Sequence, residues 1–340
     1  MEKINIIQIG ILHEHAIGKF ATLKKRPDLF NLLGFVDERS FCKTPWCPET
    51  FHPDHYEGFR EFTLEEALNF PGLDAVTVEV PNNDLVPTAV RCMEKGIAMH
   101  MDKPAGETFE PYRKLLEGCK KRNVPFQMGY MFRGNPAFQF CIRAVREKLM
   151  GEVFEFQADM NHCYLGAGYR EFIGKFPGGL MHNLGSHLVD FVVAAMGRPE
   201  RVTPFLKSAP GYPDHLHNNC MAVLEYPHAF ATLRSCSESA GNTGARAVRI
   251  AGTKGTISFS PVERFDGKSV EIELVMREEN GGFPKGTHTL RFPPQRDRYE
   301  VQLEELARVI RGEAEPSYSY EHDLLVHEVL LAASGLAKWA

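Results

Sequence analysis

A chain of 340 residues is longer than one hydrophobic core usually organises, so two domains are expected. Hydrophobic residues make up 43% and charged residues 24%, ordinary for a soluble globular protein, and no apolar run reaches the roughly 18 residues that span a bilayer. A net charge of −5 leaves no basic footprint for nucleic acid, and the eight cysteines lack framework spacings, so they read as reduced thiols in a cytoplasmic protein. The opening stretch MEKINIIQIGIL passes from its apolar run straight into a glycine turn without a small-residue cleavage site, so a signal peptide is not expected.

Lys3 to Ile9 is a short apolar run ending at Gly10. Glu14 to Lys25 has helical periodicity and stops before Pro27, and Leu32 to Val36 is a second buried strand ending at Asp37. Thr63 caps a short helix, with Glu66 three residues on completing a capping-box pattern. Ala75 to Val80 is a strand, Asn83 to Lys95 a helix closed by Gly96, and Ile97 to Met101 another strand. Thr108 to Arg122 is a helix followed by the strand VPFQMGY. Short apolar strands alternating with helices mean βαβ units and a parallel sheet, whose ligand lies beyond the carboxyl ends of the strands. In the second half, 152–160, 221–226, 229–235, 247–251, 256–260 and 271–276 are strand-like, and Tyr299 to Arg311 and a segment after Pro316 are helical.

The first strand–helix turn carries a partial dinucleotide signal. Gly10 and Gly18 are present, but Leu12 and His15 stand where the second and third glycines of G-x-G-x-x-G belong. Gly10 can still aim the helix N-terminus at a pyrophosphate, while Leu12 would crowd the backbone that normally approaches it. Asp37 ends the second strand about 27 residues after Gly10, near where an acidic group takes the adenosine ribose hydroxyls. A carboxylate there repels a 2′-phosphate, so NAD is favoured over NADP, with Arg39 nearby moderating the preference.

From Val78 onward the chain resembles the glucose–fructose oxidoreductase / inositol dehydrogenase (Gfo/Idh/MocA) family. The strand ending Glu79-Val80-Pro81-Asn82 is similar to the family's T-P-N ending. Gly96 to Pro104, with Asp102-Lys103-Pro104, resembles G-K-H-V-x-x-E-K-P at unchanged Gly-to-Lys spacing. Gly129-Tyr130 with Arg133-Gly134-Asn135-Pro136 is similar to G-[FY]-x-x-R-[FY]-x-P. Gly178 to Asp190 resembles G-G-x-x-x-D-x-G-x-H-x-x-D, and Gly252-Thr253-Lys254-Gly255 the family's G-T-x-G turn. Three departures stand out: Asp102 for Glu, Leu85 where many members have His, and Asn183 for the catalytic Asp.

The resemblance implies an α/β protein with an N-terminal Rossmann NAD(P)-binding domain, residues 1–130. A C-terminal α+β domain with an open, mainly antiparallel sheet, residues 131–340, would bind substrate and oligomerise. It implies an NAD(P)-dependent oxidoreductase acting on a hydroxyl of a sugar-like or cyclitol substrate. Gly10, Leu12, His13, Asp37, Pro81, Asn82, Asp102, Lys103 and Arg133 would face the cofactor. A homodimer or homotetramer built on the second domain is expected, because an open sheet leaves an apolar face to cover. Some relatives retain NAD to help cleave a glycosidic bond, and a non-catalytic sugar or nucleotide sensor is a further alternative.

Moving a hydride from an alcohol carbon requires a group that takes the hydroxyl proton and a donor that steadies the developing alkoxide. Lys103, at the carboxyl end of a strand, is the expected donor. His187 is the expected acid/base, its ordinary pKa lying near neutrality. If 183–190 is helical, Asn183 and His187 share a face, and Asn183, unable to ionise, positions a hydroxyl or the imidazole. Asp190 would orient His187 or face solvent. His182 is a second candidate histidine. His162, Tyr164, Tyr169 and Arg170, before the Gly178-Gly179 turn, are the expected substrate-selecting residues, with His182. Because Lys103 lies in the first half and His187 in the second, the expected site draws on both. Cys42, Cys47, His52 and His55 form a C-x4-C-x4-H-x2-H array without the short spacings usual for zinc, and no metal is expected there or at His13 and His15.

Overall fold

The computed structural model describes residues 2–43, 45–48, 51–163 and 167–340. Two compact units emerge, one formed by Met1–Tyr130 with Tyr299–Leu324, the other by Met131–Arg298 with Leu325–Ala340.

In the first unit, β1 (Ile4–Ile9), β2 (Phe30–Val36), β3 (Arg60–Phe62), β4 (Ala75–Val78), β5 (Ala98–Met101) and β6 (Phe126–Met128) form a parallel sheet ordered β3-β2-β1-β4-β5-β6. This is the doubly wound order, with its crevice where the chain reverses direction across the sheet beside β1. Strands β1, β4 and β5 are almost wholly buried, their polar Gln8, Thr77 and His100 included, as in a parallel sheet covered on both faces. The helices are α1 (Glu14–Lys25), α2 (Leu64–Leu68), α3 (Asn82–Glu94) and α4 (Phe109–Arg122). The capping box of α2 forms as its sequence predicts: the Thr63 hydroxyl accepts from Glu66 N–H, and the Glu66 carboxylate accepts from Thr63 N–H.

The second unit opens with α5 (Pro136–Arg146), whose first amides are capped by the Asn135 side chain. Strand β7 (Val153–Met160) follows, then three helices: α6 (Ala167–Ile173), α7 (Gly179–Asn183) and α8 (Ser186–Met196). The remaining strands are β8 (Arg201–Lys207), β9 (Asn219–Tyr226), β10 (Ala229–Cys236), β11 (Arg246–Gly252), β12 (Gly255–Phe259), β13 (Val270–Met276) and β14 (Gly286–Phe292). Their sheet runs β14-β13-β12-β11-β7-β10-β9-β8 and is antiparallel except where β7 lies parallel to β10. Helix α8, SHLVDFVVAAM, is buried almost all round because it packs on α5 and on the sheet at β7 and β10. Phe205, Phe230 and Val275 remain exposed on this unit's sheet.

Two expectations change. Helix α9 (Glu300–Ile310), read from the sequence as part of the second half, belongs to the first unit. Its apolar face, Leu303 and Ala307, packs with Tyr299 against Ile4, Ile6, Leu23 and Ala75. The last helix, α10 (Tyr320–Ala333), begins in the first unit and ends in the second. The edge strands β8 and β14 had no clear sequence signal. RVTPFLK carries a proline, tolerated at an edge, and GTHTLRF has little apolar alternation.

Candidate functional site

The cofactor turn is built around Gly10, whose φ is +99°. A Cβ there would lie 2.4 Å from the Glu79 carbonyl oxygen, so only glycine lets the β1–α1 turn pass this close to the chain leaving β4. Leu12 does not crowd the turn as its size suggests. Its side chain is buried with Ile11, Phe20, Phe35 and Tyr56. The Ile11 and Leu12 amides donate to the Glu38 carboxylate at 2.7 and 3.0 Å, and the Tyr56 hydroxyl donates to the Ile11 carbonyl at 3.0 Å.

His13 caps α1, its Nδ1 accepting from the His15 amide at 3.3 Å. Burial, with the charges of His15, Lys103 and Lys19, holds its pKa well below the usual histidine value, so His13 is neutral. His15 Nδ1 lies 3.0 Å from Asp102. The buried Lys19 ammonium bridges Glu79, at 2.8 and 2.9 Å, and Asp102, at 3.1 Å, with the Tyr299 ring 5.3 Å away. Burial alone would raise the Asp102 carboxyl, but Lys19, His15 and Lys103 outweigh it and keep Asp102 ionised, well below the usual carboxylate range. Burial drives Glu79 the other way, up to about 8.

Lys103, itself buried, follows Asp102 just past β5. Pro81 immediately precedes α3 without a side-chain cap, and the buried Asn82 starts the helix. Asp37 directly follows β2, caps the short 3-10 turn Glu38–Ser40 through the Arg39 amide, and takes the Arg39 guanidinium at 2.9 Å. These residues ring the carboxyl ends of β1, β2, β4 and β5. The donor set fits a dinucleotide: a glycine-only turn, a helix N-terminus with neutral and cationic groups for a pyrophosphate, and a carboxylate at the ribose end.

His13, His15 and Asp102 also offer ligand atoms within 4.8 Å of one another. The Lys19 ammonium on the other oxygen of Asp102 and the positive end of α1 place positive charge where a cation would sit, which suits an anion better. Among the described residues, Cys42, Cys47, His52 and His55 form no such group.

The second unit corrects two assignments. The helix expected over 183–190 is broken: α7 ends at Asn183 and α8 begins at Ser186, whose hydroxyl donates to the Asn183 carbonyl at 2.8 Å. Asn183 and His187 therefore sit on separate helices. Asp190 does not face solvent. It is buried against Arg133, the residue read as a cofactor contact, with Arg133 Nε at 3.1 Å and a terminal guanidinium nitrogen at 2.6 Å. Such a pair is costly to break one partner at a time, because the survivor is left buried and uncompensated.

Asn183 is buried and its Nδ2 donates to the Tyr169 hydroxyl at 2.9 Å. His182 and His187 are buried, with Phe132 ring-to-ring 5.5 Å from His187. Arg170 donates to the Tyr212 hydroxyl at 2.6 Å, and Tyr212 donates to Glu238 at 2.7 Å. Arg170, Lys175, Tyr212 and His215 help line a cavity of about 480 Å³. The half-buried His162 is tied down by its backbone, its amide donating to the Cys236 carbonyl at 2.7 Å. Tyr164 lies outside the described residues. Sequence reasoning missed Lys19, Glu38 and Tyr56. A lysine within the apolar stretch of α1 was the one visible cue; nothing local marks the other two.

Residues 6–130 match a family described as "Oxidoreductase family, NAD-binding Rossmann fold", and residues 138–258 match "GFO/IDH/MocA C-terminal domain". An uncharacterized oxidoreductase of Schizosaccharomyces pombe is 23% identical over 167 residues, 48% of this chain and 45% of that protein. The scyllo-inositol 2-dehydrogenase (NADP(+)) IolW of Bacillus subtilis is 26% identical over 204 residues, 59% of this chain and 55% of that protein. The matched stretches span about half the length of these curated relatives. Among solved structures, the WlbA dehydrogenase of Bordetella pertussis, in complex with NADH and UDP-GlcNAcA, superposes with a TM-score of 0.77 at 17% identity, covering 97% of this chain and 95% of that one, and shows the shared fold. With both halves matched and the glycine turn, the parallel sheet and the open sheet in place, the chain belongs to the GFO/IDH/MocA oxidoreductase family, its first unit an NAD-binding Rossmann fold.

Proposed function

We propose that this protein is a dehydrogenase that moves a hydride between NAD and a hydroxyl-bearing carbon of a sugar-like or cyclitol substrate. The observation that carries this reading is the buried Lys103, next in sequence to the ionised Asp102 at the carboxyl edge of an NAD-binding sheet. When bound, the nicotinamide supplies the hydride acceptor. The Lys103 ammonium donates to the developing alkoxide in a partly desolvated setting, where such a donor is worth most. His187 takes the hydroxyl proton, and the Asn183 carboxamide, held by Tyr169, orients the hydroxyl. Tyr169 and Arg170, with His162, His182 and Tyr164, select the substrate.

Asp37 sets the preference for NAD: it presents a carboxylate at the ribose end, and a 2′-phosphate would meet its charge. Titration of NAD and NADP, followed by NADH absorbance with a panel of cyclitols and aldoses, tests both parts. NAD is expected to bind more tightly, and Asp37→Ser to shift the ratio of the two Kd values toward NADP by about tenfold. Equal or tighter NADP binding by the unaltered protein would remove Asp37 from this role. Asn183 in place of an acid favours one second reading, in which NAD is retained and cycles within a glycosidase-like reaction. Cofactor that survives gel filtration, with no net NADH formed from any alcohol, would favour it.

The exposed Phe205, Phe230 and Val275 support a homo-oligomer, dimer or tetramer, assembled on the open sheet of the second unit. Light scattering at micromolar concentration should report at least a dimer, and a monomer would remove the proposal.

A further inference from the structure

The anion-binding turn of this chain already holds an anion of its own. Backbone amides at the start of a Rossmann helix are the groups that attract a cofactor's phosphates. Here the two amides that follow Gly10 are engaged by Glu38, a fully buried residue, at 2.7 and 3.0 Å. Leu12 belongs to this arrangement: with its side chain in the core beside Ile11 and Tyr56, its amide is turned toward Glu38. We infer that Glu38 is an affinity-setting residue of the cofactor site, whose ionised carboxylate opposes the negative charge of a bound dinucleotide. This inference rests on the NAD-binding reading of the same turn.

The charge is adjustable. Burial raises the Glu38 carboxyl to about 7, although the Ile11 and Leu12 amides pull it down. The charged and titratable groups around it are Asp37 and Arg39 on its own turn, Cys42 beyond it, Tyr56 on the next segment and Glu79 past β4. The Cys42 thiol and Tyr56 phenol are driven upward by burial, so both stay neutral near pH 7. Glu79, raised to about 8 and bonded to Lys19, titrates in the same range as Glu38, so the pH response must be separated by substitution. The sign is definite. Below the Glu38 pKa the acid is neutral and the dinucleotide meets no opposing charge there; above it, the carboxylate and the pyrophosphate repel. Bound cofactor raises the Glu38 pKa, and a rise of one unit makes binding about fivefold weaker at about pH 8 than at about pH 6.

Glu38→Gln keeps the shape of the side chain and removes its charge. It offers one acceptor oxygen where the carboxylate offers two, so one amide bond is lost. A residue that merely supports the turn would therefore bind NAD less well as Gln. Calorimetric titration of NAD⁺ into the unaltered protein and into E38Q at about pH 6 and about pH 8 separates the two, with thermal melting to show that E38Q is folded. The expected result is that E38Q binds NAD⁺ about fivefold more tightly than the unaltered protein at about pH 8, and that the two converge at about pH 6. Equal or weaker binding by folded E38Q at about pH 8 overturns the inference and leaves the cofactor reading standing. If E38Q does not fold, the unaltered protein decides: an NAD⁺ affinity that stays level or improves as pH rises overturns the inference. Absence of NAD⁺ binding by either protein at both pH values overturns the cofactor reading and this inference with it.

Discussion

Lys103→Ala is expected to lower kcat/KM for alcohol oxidation by about 10²–10³-fold while changing the Kd of NAD by less than about tenfold. The reasoning is differential. An ammonium that donates to the substrate oxygen is worth little to the neutral alcohol and much to the alkoxide, so its removal falls on the barrier. Lys103 is buried, which removes the water that would otherwise share the alkoxide's charge. Its charge also helps hold Asp102 ionised and His13 neutral. Some disturbance of the cofactor turn is therefore expected, and separate measurement of NAD binding keeps it apart from the chemical step. Steady-state kinetics with the best substrate of the panel gives the first number and fluorescence titration the second. A loss in kcat/KM smaller than tenfold would end the assignment of Lys103 as the alkoxide donor.

Asn183→Asp is expected to raise turnover about tenfold and to add a limb to the pH–rate profile. The buried carboxamide now donates to the Tyr169 hydroxyl. A carboxylate cannot donate, but a tyrosine hydroxyl can reverse its role and donate instead, so the local bond survives the exchange. The new acid would titrate where the amide cannot, giving the reaction a second proton acceptor. The pH dependence of kcat/KM for the two proteins is the measurement. A fall in activity would mean that the amide is adapted to another substrate or reaction, and plain alcohol oxidation would become the weaker reading.

The parallel sheet was legible because β1, β4 and β5 are short, mostly apolar stretches followed within three residues by Gly10, Pro81 or Pro104, a pattern that burial on both faces favours. The Thr63–Glu66 cap was legible because both partners lie within four residues. Leu12 was misread for the opposite reason. Its direction is set by Tyr56 and Phe35, distant in sequence. The solvent-facing alternative for Asp190 failed in the same way: Arg133, against which it is buried, lies 57 residues earlier and carries no local mark. The break between α7 and α8 rests on a Ser186 hydroxyl that replaces a backbone bond, a choice that spacing does not reveal. The positions of Lys103, Asn183 and His187 in the sequence came from motif spacing, whereas the groups that surround them came from folding.

Helix α9 has a consequence for modular exchange within the family. The chain leaves the first unit at Tyr130 and comes back to it at Tyr299, and Leu303 and Ala307 then seal the apolar surface around Ile4, Leu23 and Ala75. A single cut at residue 130 does not release a complete nucleotide-binding body, since it leaves that surface open to water and to other copies of itself. Recombination that grafts a new cofactor half onto an existing catalytic half must transplant two stretches of chain together, and a crossover that carries only the first brings an unsealed core with it.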